Sequence, residues 1–351
     1  MRKKVFAILY EPASYTEDRN KMVYDKLGVG FCYMHRHSLA KADSDNDIDV
    51  LPTDKVPLIK RLMSILKDND IIIMNGYTNI VFIILFLLNI WYKKPIGIDS
   101  DTQLVVPDNK IKRIAKSLYL NLIFRNPHIF GLAGGTVTHK DLFRHYGMAE
   151  NRIFLMPMMV NNEKFAFTRD NKNEIFKFLY VGRIVSVKNI QILLDAFVRN
   201  FKDDPKVELH IVGIGELLQS YKTTYSTYKN IVFEGAKYGK ELADVYRKAD
   251  AFVLPSAFEP WGLVVNEAMS AGLPCIVSDQ VGAAWDLVDE KNTGFIFKYD
   301  NIEDLSDKMK TISSDSELYM KFSRNSYRMM HNYWNYELYT KCMEDYINKA
   351  K

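Results

Sequence analysis

Residues 251–278, AFVLPSAFEPWGLVVNEAMSAGLPCIVS, constrain the fold more than any other stretch of the chain. Ala251 to Leu254 is a short apolar run that ends at Pro255, as a buried strand does. Ser256 to Gly262 has turn chemistry. Leu263, Val264, Glu267, Ala268 and Ala271 recur at helical spacing, and Gly272 with Pro274 stops the helix. Cys275 to Val277 then opens another strand. Two carboxylates, Glu259 and Glu267, bracket the loop-to-helix junction. Between them the amides of Gly262, Leu263 and Val264 fall at a helix start, where free N–H groups and the helix dipole attract phosphate. One carboxylate precedes this anion site and one follows it about a turn into the helix. That arrangement suits a ligand with a charged middle and hydroxyl-rich ends, such as a nucleotide-sugar. A first-turn glutamate and a solvated loop glutamate would read the same way at this spacing alone.

The full string P-S-x-x-E-P-x-G-L-x-x-x-E-A-M-x-x-G-x-P resembles the E-x7-E signature of the GT4-like retaining glycosyltransferases. The resemblance implies the GT-B fold, an α/β architecture of two Rossmann-like doubly wound domains facing across a cleft. It also implies transfer of a sugar from a UDP- or GDP-linked donor with retention of configuration and no metal. The nucleotide-sugar is a co-substrate, so no separate cofactor is expected. The acceptor would be a glycan or a lipid-linked glycan, as in bacterial surface polysaccharide or O-antigen assembly.

Other motifs match in order. Phe178 to Val181 reads as a strand, and Gly182-Arg183-Ile184-Val185-Ser186-Val187-Lys188-Asn189 resembles the family's G-R-x-x-x-x-K-N loop. Two cations at a strand-to-helix junction favour a diphosphate, although plain surface cations would also fit. In the family Arg183 and Lys188 reach it. Gly213-Ile214-Gly215-Glu216 occupies the place of a family V-G-x-G turn. Glu234 to Tyr238 is a strand exit whose main chain, at Ala236 and Tyr238, contacts the nucleobase in the family. Val281 to Asp286 matches a further family loop, with Ala283 and Asp286 standing in for its usual glycine and glutamate. The resemblance assigns Glu259 to the donor sugar and Glu267 to the ribose hydroxyls. Asp101, in the polar cluster Asp99-Ser100-Asp101-Thr102 after a strand, would face acceptor and donor sugar; a capping aspartate is the alternative.

The first half is less informative. Val5 to Leu9 is a strand candidate, and Glu11 to Asp18 a polar loop. The family often carries a Gly-Gly pair there; here the loop reads Glu11-Pro12-Ala13-Ser14-Tyr15, without glycine. Asp43 to Asp49 is an acidic run expected in an exposed loop. Ile80 to Trp91 is apolar all round and too short to span a bilayer, which needs roughly 20 residues. It reads as a buried helix, the other option being one that dips into a membrane face. Lys110 to Phe124 sets Lys110, Lys112, Arg113 and Lys116 against Ile111, Ile114, Leu118, Leu122 and Ile123. Such a helix can lie on an anionic bilayer or be an ordinary surface helix.

At 351 residues, 48% hydrophobic and 26% charged, the chain should form two domains and bury a large core. The expected division is 1–165 for the acceptor, 175–325 for the nucleotide-sugar, and a terminal helix in 326–351 returning to the first domain. Residues 161–174 read as a linker. The first 170 residues hold 24 basic and 18 acidic residues, a surplus the second half lacks. With no nucleic-acid motif beside it, that surplus points to a membrane surface or a phosphate-bearing acceptor rather than nucleic acid. Three widely spaced cysteines fit a reducing compartment. The expected location is cytoplasmic, or peripheral on the inner face of the cytoplasmic membrane. A UDP-sugar 2-epimerase of the same fold and a non-catalytic partner subunit remain as alternatives.

Overall fold

The computed structural model describes residues 3–36, 48–288 and 292–350. Residues 43–47, within the expected acidic loop, lie outside them. The chain divides into two units, residues 1–159 with 336–351, and residues 160–335.

The first unit has strands β1 (Val5–Leu9), β2 (Gly30–Tyr33), β3 (Ile71–Asn75), β4 (Ile96–Ser100), β5 (Ile129–Ala133) and β6 (Ile153–Leu155). They form one parallel sheet in the order β2-β1-β3-β4-β5-β6. The run Ile71-Ile72-Ile73-Met74 is buried throughout, as befits a strand covered on both faces. Helices α1 (Ser14–Arg19), α2 (Asp25–Leu27), α3 (Lys55–Asp68), α4 (Ile80–Tyr92), α5 (Lys110–Phe124) and α6 (Thr138–His145) connect the strands. Asn79 and Asn109 cap α4 and α5 by accepting from first-turn N–H groups.

The second unit has β7 (Phe176–Val181), β8 (Val207–Val212), β9 (Ile231–Gly235), β10 (Ala251–Leu254), β11 (Cys275–Ser278) and β12 (Gly294–Phe297). These are also parallel, in the order β12-β11-β10-β7-β8-β9. Its helices are α7 (Asn162–Phe165), α8 (Ile190–Phe201), α9 (Leu218–Thr224), α10 (Gly239–Lys248), α11 (Leu263–Ser270), α12 (Ile302–Ser314) and α13 (Ser316–Arg328). The chain then returns to the first unit as α14 (Tyr336–Lys349). There Tyr346 packs its ring against Phe130 of β5 and Phe154 of β6.

Three expectations are corrected, and one helix was not expected. The polar segment Glu11 to Asp18 holds α1, which runs on through a π-helical turn at Asn20–Tyr24. Its buried face includes Thr16, Asn20 and Arg19, so a polar core side hides the helical period. Asn20 donates to the Tyr33 hydroxyl at 3.0 Å. The expected linker contains α7, and buried Asn162 donates to the carbonyls of Met330 and Trp334. Helix α13 had no counterpart in the sequence reading; its cap is Asp315, which accepts from Leu318 N–H at 2.9 Å. Lastly, α4 is not buried all round: Phe82, Leu85 and Asn89 face inward, whereas Leu87, Ile90 and Trp91 are exposed.

Candidate active site

In the second unit the strand order reverses between β7 and β10. Open α/β sheets bind ligands at the carboxyl ends of strands flanking such a reversal. The loops leaving those two strands carry Gly182, Arg183 and Lys188 on one side and Glu259 and Gly262 on the other. The fold thus gathers these candidates at the place where the topology opens a crevice.

Backbone hydrogen bonds sew the loops together. Ala257 N donates to Val187 O at 2.9 Å, joining the β10 loop to the β7 loop. Glu259 N donates to Gln280 O at 3.1 Å and Gly282 N to Glu259 O at 3.0 Å, joining it to the β11 loop. On the far side Gly182 N donates to Val212 O at 3.0 Å and Ile184 N to Ile214 O at 2.8 Å. Gly213 is required by this close approach: a Cβ there would stand 1.8 Å from Gly182 O. Buried polar backbone is satisfied by its neighbours, so each loop's shape depends on the next.

Side chains complete the cluster. Lys188 Nζ pairs with Glu259 Oε2, and the two side chains are only 13% and 14% exposed. Arg183 is exposed, and its carbonyl accepts from the buried Tyr180 hydroxyl at 2.9 Å. Burial raises the Tyr180 phenol well above its ordinary range; the Glu259 charge adds to this and Arg183 opposes it. Tyr180 therefore senses both charged candidates. It sits just before the Gly182-Arg183 motif, where only its place on an apolar strand was legible.

Gly262 precedes α11 with φ of 96°, a left-handed conformation that glycine adopts without strain. Its carbonyl accepts from Val265 N at 2.8 Å. The N–H groups of Leu263 and Val264 open the helix, where no preceding turn supplies acceptors. Trp261 is 1% exposed, donates to Asn266 Oδ1 at 2.7 Å and stacks on Trp334 with ring centroids 5.6 Å apart. These contacts anchor the helix start; the sequence reading left both tryptophans without a role.

Glu267 lies further along α11 and accepts from the Tyr246 hydroxyl at 2.7 Å. The residue keeps some accessible surface, but its carboxyl is deep. Desolvation pushes its pKa up to about 7, with the Tyr246 hydrogen bond opposing. The sign follows: the native state holds a proton that the unfolded chain releases near 4.5, so stability is lost as pH rises from about 4.5 through about 7. Glu267→Gln should therefore raise stability at pH 8 by about 2–3 kcal/mol, and the gain should fade toward pH 4.5. Urea melts of both proteins across that range check it; an equal difference at every pH would count against a titrating Glu267.

Ala236 follows β9, and Tyr238, 64% exposed, precedes α10. A cavity of about 420 Å³ lies near α10, lined by Lys177, His210, Glu234 and Glu241 among others, and takes in none of these candidates.

Asp101 lies in the first unit, just past β4. Its neighbour Asp99 is the more committed residue, taking Arg19 at 3.3 Å and Asn75 Nδ2 at 2.9 Å. Burial raises the Asp99 carboxyl above its usual range, with Arg19 pulling against it. Asp101 is half-buried at the strand end.

Residues 161–329 match the family described as glycosyl transferases group 1. This match falls wholly within the second unit, and the fold is that of the GT-B glycosyltransferases. The sulfoquinovosyl transferase of Arabidopsis thaliana is 34% identical over 142 residues, 40% of this chain and 27% of that protein. An Escherichia coli UDP-Gal:alpha-D-GlcNAc-diphosphoundecaprenol alpha-1,3-galactosyltransferase is 30% identical over 48% of this chain and 46% of its own. Matched segments span half or less of these curated relatives. Among solved structures, Anabaena HepE in complex with UDP superposes with TM-score 0.79 at 14% identity, covering 99% of each chain. Sucrose-phosphate synthase from Thermosynechococcus elongatus gives 0.72 at 17% identity, again with 99% of each chain.

Proposed function

We propose that the chain is a retaining, metal-independent hexosyltransferase that takes a sugar from a UDP- or GDP-linked donor. The observation that supports this best is the convergence of Arg183, Lys188, Glu259 and the α11 start at the strand reversal of the second unit. Arg183, Lys188 and the amides of Gly262, Leu263 and Val264 hold the diphosphate; Gly182 and Gly213 keep the backbone close to it. Glu267 holds the ribose hydroxyls, and main chain at Ala236 and Tyr238 meets the base. Glu259 holds the donor sugar. Acceptor recognition falls to the first unit, with Asp101 on the acceptor hydroxyl.

The reaction is a same-face displacement. The acceptor oxygen bonds to the anomeric carbon as the bond to the diphosphate oxygen breaks. That departing oxygen takes the acceptor's proton. Two cations neutralise the leaving diphosphate, a preorganised electrostatic contribution. The acceptor is a glycan or lipid-linked glycan of a bacterial surface polysaccharide, and the enzyme works in the cytoplasm at the inner face of the membrane. The relative whose name gives a GlcNAc-diphosphoundecaprenol substrate supports this reading of the acceptor.

Thermal melting with UDP-, GDP- and ADP-sugars tests the donor. A ligand at 100 times its Kd should stabilise by about 2.7 kcal/mol. The responding donor is then offered to glycan acceptors, and NMR of the product reads the anomeric configuration. Inverted product would end the retaining assignment. Epimer formed from UDP-N-acetylglucosamine alone would favour the epimerase, and binding without turnover a non-catalytic subunit.

A further inference from the structure

Helices α4 and α5 are apolar on two opposite faces. On the inner side Phe82 and Leu85 of α4 join Leu120, Ile123 and Phe124 of α5 in one core cluster, which also takes in Leu62 of α3 and Phe143 of α6. These helices therefore lie side by side on the same face of the first unit's sheet, as successive right-handed crossovers require. On the outer side Leu87, Ile90 and Trp91 of α4 are 52%, 55% and 76% exposed. Ile111, Leu118 and Leu122 of α5 are 78%, 70% and 67% exposed. Helical spacing lines each set up along one stripe, opposite the buried one. Of the α5 residues only Leu120, Ile123 and Phe124 are buried, so of the apolar side set against its cations Ile123 alone turns inward.

Neither helix contains an aspartate or glutamate. Lys110, Lys112 and Arg113 are exposed at the start of α5, and Lys93 is exposed at the end of α4. Lys110 and Lys112 stand about 100° to either side of the Ile111 stripe and so edge it with cations; this matches an anionic bilayer, whose acyl region takes the stripe and whose phosphates take the rim. A two-fold contact with a second copy would instead bring like-charged rims together. Among the described residues no helix is long and apolar enough to cross a membrane.

We infer that the outer face of α4 and α5 is an in-plane docking surface for an anionic lipid bilayer. The inference deepens the membrane-side location proposed above and rests on it. The test is co-sedimentation of the full chain with phosphatidylglycerol-containing and pure phosphatidylcholine vesicles, at low and high salt. Donor-induced thermal shift is read on the same samples. Expected are binding to the anionic vesicles alone, at least tenfold weaker at high salt. Binding should also fall at least tenfold in Trp91→Ser/Leu118→Ser and in Lys110→Gln/Lys112→Gln/Arg113→Gln. Both variants change exposed side chains, and an unaltered donor shift shows that they fold. Absence of binding at low salt, or equal binding to neutral vesicles, overturns the inference. So does self-association that Trp91→Ser/Leu118→Ser abolishes in a chain that ignores vesicles. Vesicle binding without any donor response would leave the docking face standing and remove the donor reading instead.

Discussion

Arg183→Ala and Lys188→Ala should each lower kcat/KM by about 2–4 kcal/mol of transition-state stabilisation, roughly 30- to 1000-fold, by analogy with losing a preorganised charge-stabilising donor. The two losses should differ in kind. Arg183 is exposed beside its loop, so its removal subtracts one cation. Lys188 is paired with Glu259 at low exposure, so its removal also strips a buried carboxylate of its counter-charge. Lys188→Ala should therefore be the more damaging single change. It should cost less in a Glu259→Gln background, where no charge is left unpaired. Steady-state kinetics on the four proteins of that cycle measure the coupling. Wild-type rates in the Arg183→Ala/Lys188→Ala double variant would remove both residues from the donor site.

The two glutamates should fail differently. Glu267→Gln should mainly raise the donor KM, because a contact with ribose is present before and during reaction and acts as uniform binding. Glu259→Gln should mainly lower kcat, by roughly 100-fold if it loses one charge-stabilising contact in the transition state. In the site proposed above its carboxylate faces the reacting sugar, where positive charge develops on the ring. The pKa of Glu267 adds a second reading: donor KM should rise in the wild type as pH falls below about 7, and Glu267→Gln should flatten that profile. Turnover kept in Glu259→Gln but lost in Glu267→Gln would reverse the roles.

The second unit was far more legible than the first. Its strands end in glycines and charged motifs at fixed offsets, so the strand expected at Phe178 to Val181 and the strand and helix of residues 251–271 could be placed; the structure gives Phe176–Val181, Ala251–Leu254 and Leu263–Ser270. What stayed hidden was the pairing across loops. Nothing in the string tells that Lys188 meets Glu259, or that Tyr246 meets Glu267, because those contacts join residues far apart in the chain. In the first unit α1 was missed because its inward face is polar, with Arg19 reaching Asp99. The outward face of α4 was missed for the opposite reason: a helix apolar all round looks buried, whatever it meets.

The first unit is interrupted by the whole of the second and is completed by α14. Lys3, at the start of β1's approach, donates to the carbonyl of Ile347 at 2.6 Å and to that of Ala350 at 2.8 Å. Lys3 thus waits for residues made more than 340 positions later. During synthesis all six strands of the first unit are made before its closing helix, which follows the whole of the second unit. Over that interval Phe130 and Phe154 lack the Tyr346 ring that packs on them, and uncovered apolar surface of this kind invites misassembly.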